Sequence, residues 1–166
     1  MTRIRSFVVA AVVAASMSAT AGAQHQHNHQ HHGGVDKRGD AVMGFEHAKT
    51  AHHFRLHRDG GAIEVTVKDA ADTVSRDKIR SHLAEIATAF AEGDFQMPRE
   101  IHDRVPPGVN VMRDRRAEIR YTFEEIDGGG RVRIATSDPA ALAAVHDFLR
   151  FQIEDHRTGD PLDVTP

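Results

Sequence analysis

Cysteine is absent from this sequence. That excludes disulfide staples, thiolate metal ligands and thiol nucleophiles, so stability has to come from packing, and any metal chemistry has to use histidine, carboxylate or methionine. An excess of positive charge is also missing: 21 Lys and Arg face 24 Asp and Glu. Such a balance argues against a nucleic-acid partner, which needs a basic footprint. No apolar run beyond the N-terminus approaches the length that spans a bilayer. Phosphate-binding loops, a dinucleotide fingerprint, HExxH, a nucleophile elbow and an EF-hand loop are all absent. The carboxylates are scattered over polar faces rather than paired, so no catalytic constellation is visible.

What is present begins with an export signal. Met1-Thr2-Arg3-Ile4-Arg5 is a short basic start, Phe7 to Ala15 is an uninterrupted apolar run, and Ala21-Gly22-Ala23 forms an A-x-A site before Gln24. This three-part layout predicts a cleavable signal peptide over 1–23 and a periplasmic or secreted protein with no membrane segment after cleavage. Losing Arg3 and Arg5 leaves 19 basic against 24 acidic side chains, a balance of −5. Residues 24–41 form a polar, His-rich arm that cannot bury enough apolar surface to offset chain entropy, and it is expected to be disordered. Residues 42–166 are long enough for one domain with a modest core.

Within that domain, apolar and polar residues alternate around two Asp-Gly-Gly turns. Phe54 and Leu56 precede Asp59-Gly60-Gly61, and Ile63, Val65 and Val67 follow it. Ile119, Tyr121 and Phe123 precede Asp127-Gly128-Gly129, and Val132 and Ile134 follow. Period-two alternation around such a turn predicts a hairpin with one buried and one wet face, the wet face carrying Arg55, Glu64, Thr66, Lys68, Arg120, Thr122 and Arg133. Each hairpin leads into a helical stripe. The first, Ile79-Leu83-Ile86-Phe90, is expected to be capped by Ser75 and stopped at Gly93. The second, Leu142-Val145-Leu149-Ile153, is expected to be capped by Asp138, with Pro139 in the first turn, and stopped at Gly159. The expectation is an α+β fold: a ββα–ββα pseudo-repeat forming a four-stranded antiparallel sheet with two helices on one face. Residues 96–112 read as a structureless connection, either functional or a crossover between the halves.

Histidine is the compositional oddity, with 13 copies. His25, His27, His29, His31 and His32 crowd into the arm, where neutral imidazoles on a flexible chain can wrap one transition-metal ion. His52 alternates with Phe54 and Leu56, so it joins their face, while His53 and His57 point to water. His82 and His146 fall on or beside the buried stripes of their helices, and His156 lies at the end of the second. A core histidine must hydrogen-bond or ligate. Two readings follow: satisfied core residues, or an interior site in which His82 and His146 converge and His52 or His102 completes the set. Met97 and Met112 bracket His102 and are packing residues or thioether ligands for Cu(I).

Met43-Gly44-Phe45-Glu46, Lys49-Thr50-Ala51-His52-His53-Phe54-Arg55-Leu56 and Gly60-Gly61-Ala62-Ile63-Glu64-Val65 carry a resemblance. So do Phe148-Leu149-Arg150-Phe151-Gln152-Ile153 and His156-Arg157-Thr158-Gly159-Asp160. Together, over most of residues 42–161, they resemble a group of small, exported, His-rich bacterial proteins of uncharacterised function. The resemblance supplies no catalytic residues. Some members bear the label aspartate carbamoyltransferase. This chain lacks the Ser-Thr-Arg-Thr phosphate-binding segment of that enzyme and is about half the length of its catalytic chain, so the label is rejected.

These features favour a binding protein over an enzyme. The first reading is an exported binder of copper, zinc or nickel that captures or sequesters the ion through the arm, with a further site at the interior histidines. The alternative is a small-molecule or protein-partner binding module whose arm is incidental and whose sheet face (Arg55, Lys68, Arg120, Arg133) is the contact surface. A homodimer or an unknown protein partner stays open. A small metalloenzyme ranks last for want of an acid–base partner.

Overall fold

The alternating segments form four strands in the computed structural model, which describes Gly34, residues 38–40 and residues 43–164. The signal-peptide reading of 1–23 and the arm histidines His25, His27, His29, His31 and His32 lie outside the described residues. Strands β1 (Thr50–His57) and β2 (Gly60–Val67) make the first hairpin. Helix α1 (Thr73–Glu92) follows, then the short helices α2 (Gln96–His102) and α3 (Val109–Asp114). Strands β3 (Ile119–Ile126) and β4 (Gly129–Thr136) make the second hairpin, and α4 (Pro139–His156) closes the domain. The sheet is antiparallel throughout, in the order β1-β2-β4-β3. The α+β class and the four-stranded antiparallel sheet are those the alternation predicts. No helix among the described residues is long and apolar enough to cross a membrane.

The two hairpins join through β2 and β4, from Gly60 opposite Ala135 to Thr66 opposite Gly129. One face of the sheet carries Phe54, Leu56, Ile63, Val65, Ile119, Val132 and Ile134, all buried, while Val67, Tyr121 and Phe123 are only partly covered. Helix α1 lies mainly across β3 and β4, and α4 across β1 and β2, so each helix packs on the hairpin it does not directly follow. Phe90, Phe148, Leu56, Ile79, Leu83 and Leu149 are almost wholly enclosed. Each such side chain contributes about 1.5–3 kcal/mol relative to exposure. The turn glycines do more than turn. Gly61 and Gly130 lie on the core face, and a Cβ there would overlap Leu149 of α4 at Gly61, or sit 3.1 Å from Leu83 of α1 at Gly130. Absence of a side chain is what lets both helices close on the sheet.

Three expectations need correction. The first long helix begins earlier than its apolar stripe implied: Asp72, not Ser75, is the cap, accepting the Ser75 N–H at 3.0 Å. The connection 96–112 is not structureless, because α2 and α3 bury Ile101, Val109 and Met112. Helices this short carry too few apolar positions for periodicity to show. The last helix stops at His156, with Arg157 in the left-handed conformation at φ 52°, ahead of Gly159. The chain is pulled off the helix axis there by Asp160, whose carboxylate accepts the Phe54 N–H at 2.9 Å and takes Arg55 at 2.7 Å and His53 Nδ1 at 2.9 Å. That contact covers the open edge of β1, which would otherwise present unpaired backbone groups. Asp138 caps α4 as expected, accepting the Ala141 N–H at 2.7 Å with Pro139 in the first turn.

Candidate functional site at a buried histidine cluster

Four elements bring histidines to one end of the core. His52 alternates with Phe54 on β1 and so faces the helices. His82 sits between Ile79 and Ile86 on the buried stripe of α1. His102 ends α2, and His156 ends α4. A fifth, His47, arrives from the single 3-10 turn His47–Lys49 that precedes β1. His52, His82, His102 and His156 line a cavity of about 60 Å³, together with Met43 and Met97. The remainder of its wall is largely aromatic and aliphatic, and includes Phe54, Val65, Phe90 and Phe148.

The rings of His47 and His52 stack at 4.2 Å between centres, 5° from parallel. His156 lies 5.5 Å from His47 and 6.2 Å from His52, again within a few degrees of parallel. His102 meets His156 edge-on at 5.0 Å. Phe45 flanks the group, 6.3 Å from His52 and edge-on to His82 at 5.8 Å.

Burial disfavours the charged form of His52, His82 and His102. Desolvation, with the positive charge that His47, His156 and His82 would add, pushes the pKa of His52 down to about 2. Burial lowers that of His82 against a weak opposing pull from Glu85. His102, only 1% exposed, is also lowered: its desolvation outweighs the hydrogen bond to Asp155 that favours the charged form. Neutral imidazole is the form that ligates metals.

His102 is the most firmly held of the set. Its Nδ1–H donates to Asp155 at 2.6 Å, and Arg104 steadies the same carboxylate at 3.1 Å while lying 4.6 Å over the Phe151 ring. The Gln152 amide meets His102 Nε2 at 2.9 Å, with Oε1 at that position in the structure. A neutral ring that donates from Nδ1 has a lone pair at Nε2, so the amide turns its NH2 toward the ring. That orientation gives Gln152 Nε2 a partner it otherwise lacks.

Other nitrogens have nothing comparable. Among the described residues, His52 Nε2 and both ring nitrogens of His47 are buried without a hydrogen-bond partner. The closest group to His47 is the Asp40 carboxylate, 3.6 Å from Nδ1. Buried imidazoles are ordinarily paired, so these nitrogens are open to a water or an ion.

His52, His82, His102 and His156 are thus gathered, and His146 is not. Its Nε2 sits 2.9 Å from the His57 carbonyl and 3.1 Å from that of Gly60, tying α4 to the β1–β2 turn. His57 is five residues along β1 from His52, a separation of roughly 17 Å. The expected convergence of His82 with His146 therefore does not occur, and His146 is a satisfied core histidine. Met97 reaches the cavity, whereas Met112 is fully enclosed in the core. Sequence reasoning missed His47 and Met43, which lie outside any periodic segment. It also missed Gln152 and Asp155, although with His156 they share one face of α4 by their spacing of three and four.

Two imidazoles holding one ion with nitrogens 2.0–2.1 Å away have ring centres roughly 5 Å apart. The spacings around His156 and His47 match that distance. The parallel ring planes do not aim their lone pairs at a common point, and among the described residues no three histidine or carboxylate side chains are placed to share an ion. Reorientation of the rings, or donors of another kind, would be needed to complete a site. Compared with protein-family models, with curated proteins and with solved structures, the chain matches none.

Proposed function

We propose that this chain is an exported protein that binds transition-metal ions, copper, zinc or nickel, and captures or sequesters them. The observation that supports it is the stacked pair of half-buried imidazoles at His47 and His52, in which both ring nitrogens of His47 and Nε2 of His52 are enclosed without partners, lying where the His-rich segment joins the domain. Arg38 Nε donates to the Ile101 carbonyl at 2.7 Å, and Asp40 accepts the His47 N–H at 2.7 Å. Residues 38–40 therefore run against His47 and the end of α2. Arg38 is six positions beyond His32, at most roughly 20 Å of chain, which favours shared use of ions by the tract and the domain. Affinity of imidazole nitrogen for divalent ions follows the Irving–Williams order, with copper ahead.

The alternative, a partner-binding module using the outer sheet face, is less well supported. Arg55 is engaged with Asp160 and Glu64, Arg133 with Asp59 and the Gly61 carbonyl, and Lys68 with the Ala48 carbonyl. Three of the four cations of that face are thus engaged internally, with the exposed Arg120 as the exception, which leaves the face less to offer a ligand.

The test compares the full chain with a variant in which His25, His27, His29, His31 and His32 are replaced by Gln. Each is loaded with Cu(II), Zn(II) or Ni(II) at pH 7.5, and bound metal and melting temperature are measured. The full chain should retain more than one equivalent. The variant should retain markedly less of each divalent ion than the full chain, and any ion still held by the domain should raise its melting temperature, because a ligand specific for the native state stabilises it. Failure of both proteins to bind any of the three ions sinks the reading.

A further inference from the structure

The cavity beneath the histidine stack has an unusual donor set. Two of the three methionines among the described residues, Met43 and Met97, line it along with His52, whose buried Nε2 has no partner. No carboxylate lines the cavity; Asp155, behind His102, is engaged with His102 and Arg104. An ion held there would have only neutral ligands. A divalent cation with no compensating anion in such surroundings faces a desolvation penalty that grows with the square of its charge, so a monovalent ion is strongly preferred. Thioether sulfur is a soft donor that selects Cu(I). A volume of about 60 Å³ admits one ion with its protein ligands and leaves little space for water, whose share of the liquid is about 30 Å³. The aromatic wall of Phe54, Phe90 and Phe148 also shields a cuprous ion from solvent.

We propose that this cavity binds one cuprous ion through His52 Nε2 and the thioethers of Met43 and Met97. Thioether ligation supplies the donors that histidines and carboxylates alone do not. The rings of His82, His102 and His156 form the surrounding shell, with His102 held in place by Asp155. The inference rests on metal binding as the function and adds the oxidation state, the ligands and the place. The outer histidine tract would take divalent ions, and the interior would take Cu(I).

The test uses the full chain with the five arm histidines replaced by Gln, titrated anaerobically with Cu(I) against a chromophoric cuprous chelator. The expected result is one tightly held Cu(I) per chain. Selenomethionine-labelled protein should show copper as a neighbour of selenium by X-ray absorption, a readout that needs no mutation. The Met43→Leu/Met97→Leu double variant, close to volume-conserving, should fold as judged by circular dichroism and bind Cu(I) at least tenfold more weakly. Unchanged affinity in that variant, absence of copper near selenium, or no Cu(I) binding at all would overturn the proposal. If the chain still binds Cu(II), Zn(II) or Ni(II) in those cases, only the cuprous site is lost. If it binds none of them, metal binding itself falls as well.

Discussion

The rings of His47 and His52 lie face to face at 4.2 Å, although one belongs to a 3-10 turn and the other to β1. Face-to-face contact at that distance suits a neutral His52 ring. A proton on His52 would place a cation in a pocket from which water is largely excluded. The contact therefore ties the packing of the N-terminal segment to the charge state of the cluster.

Stability should fall in acid through this cluster. His52 has a pKa near 2 in the folded chain and about 6.5 once unfolded. Between those values the unfolded chain takes up a proton that the folded chain refuses. The contribution is complete above pH 6.5 and is lost as pH falls toward 2, at about 1.4 kcal/mol per pH unit for one such group. His82 and His102, also lowered, act in the same direction. Urea denaturation at pH 7.5, 6.5, 5.5 and 4.5 should show a loss of about 3 kcal/mol over the last two units. His52→Phe should flatten the slope by about one proton. A profile that is level from pH 7.5 to 4.5 contradicts the assignment.

Gln152 should matter through its amide hydrogens. Gln152→Leu leaves His102 Nε2 buried and unpaired, at a cost of about 1–3 kcal/mol in denaturant melts. Gln152→Glu should instead draw a proton onto His102 and raise its pKa. In wild type, two-bond proton–nitrogen NMR at pH 7 should find the hydrogen on Nδ1, facing Asp155. A proton on Nε2 with a bare Nδ1 would refute this orientation.

Asp160 should be worth more than a surface ion pair. Burial alone would raise its pKa, but hydrogen bonds from Phe54 N–H, Thr158 and His53, with the Arg55 charge, hold it below the usual carboxylate value. Asp160→Ala removes the acceptor for a buried strand-edge N–H and should cost about 2–4 kcal/mol. Asp160→Asn, which keeps an accepting oxygen, should cost less. Equal and negligible losses in thermal melts would show that the edge of β1 does not need the tail.

Gly61→Ala should be among the most damaging single-methyl changes. The added Cβ meets the Leu149 side chain and the backbone carbonyl of Arg55, and a carbonyl cannot move without opening the hairpin. A loss of about 3 kcal/mol is expected. Gly128→Ala has no contact closer than 3.7 Å, so only its positive φ of 71° opposes the methyl, and the cost should be about 1 kcal/mol. Reversal of that order in guanidinium melts would place the helix elsewhere on the sheet.

The sheet and its two long helices were legible because local rules decide them. Phe54 and Leu56 against Ile63 and Val65 fix register by alternation, and Asp138-Pro139 announces a helix start wherever it occurs. Helices α2 and α3 were illegible because a six- or seven-residue helix offers too few apolar positions to show a period. The cap at Asp72 was misplaced because the apolar stripe of α1 begins seven residues later, at Ile79.

For the site, the sequence by itself determined which chemistry was available: imidazole and thioether donors, no thiol, and His52 on the core side of its strand. It could not determine convergence. His82 and His146 occupy equivalent positions on their stripes, yet only His82 reaches the cluster, because α4 runs along β1 and sets its first half over the hairpin turn and its end, at His156, beside His52. His47 and Met43 enter only because an irregular segment folds back over the strand, and no periodic signal records that path. Distances between residues far apart in the chain arise from how the layers stack, and the tertiary structure alone decided them.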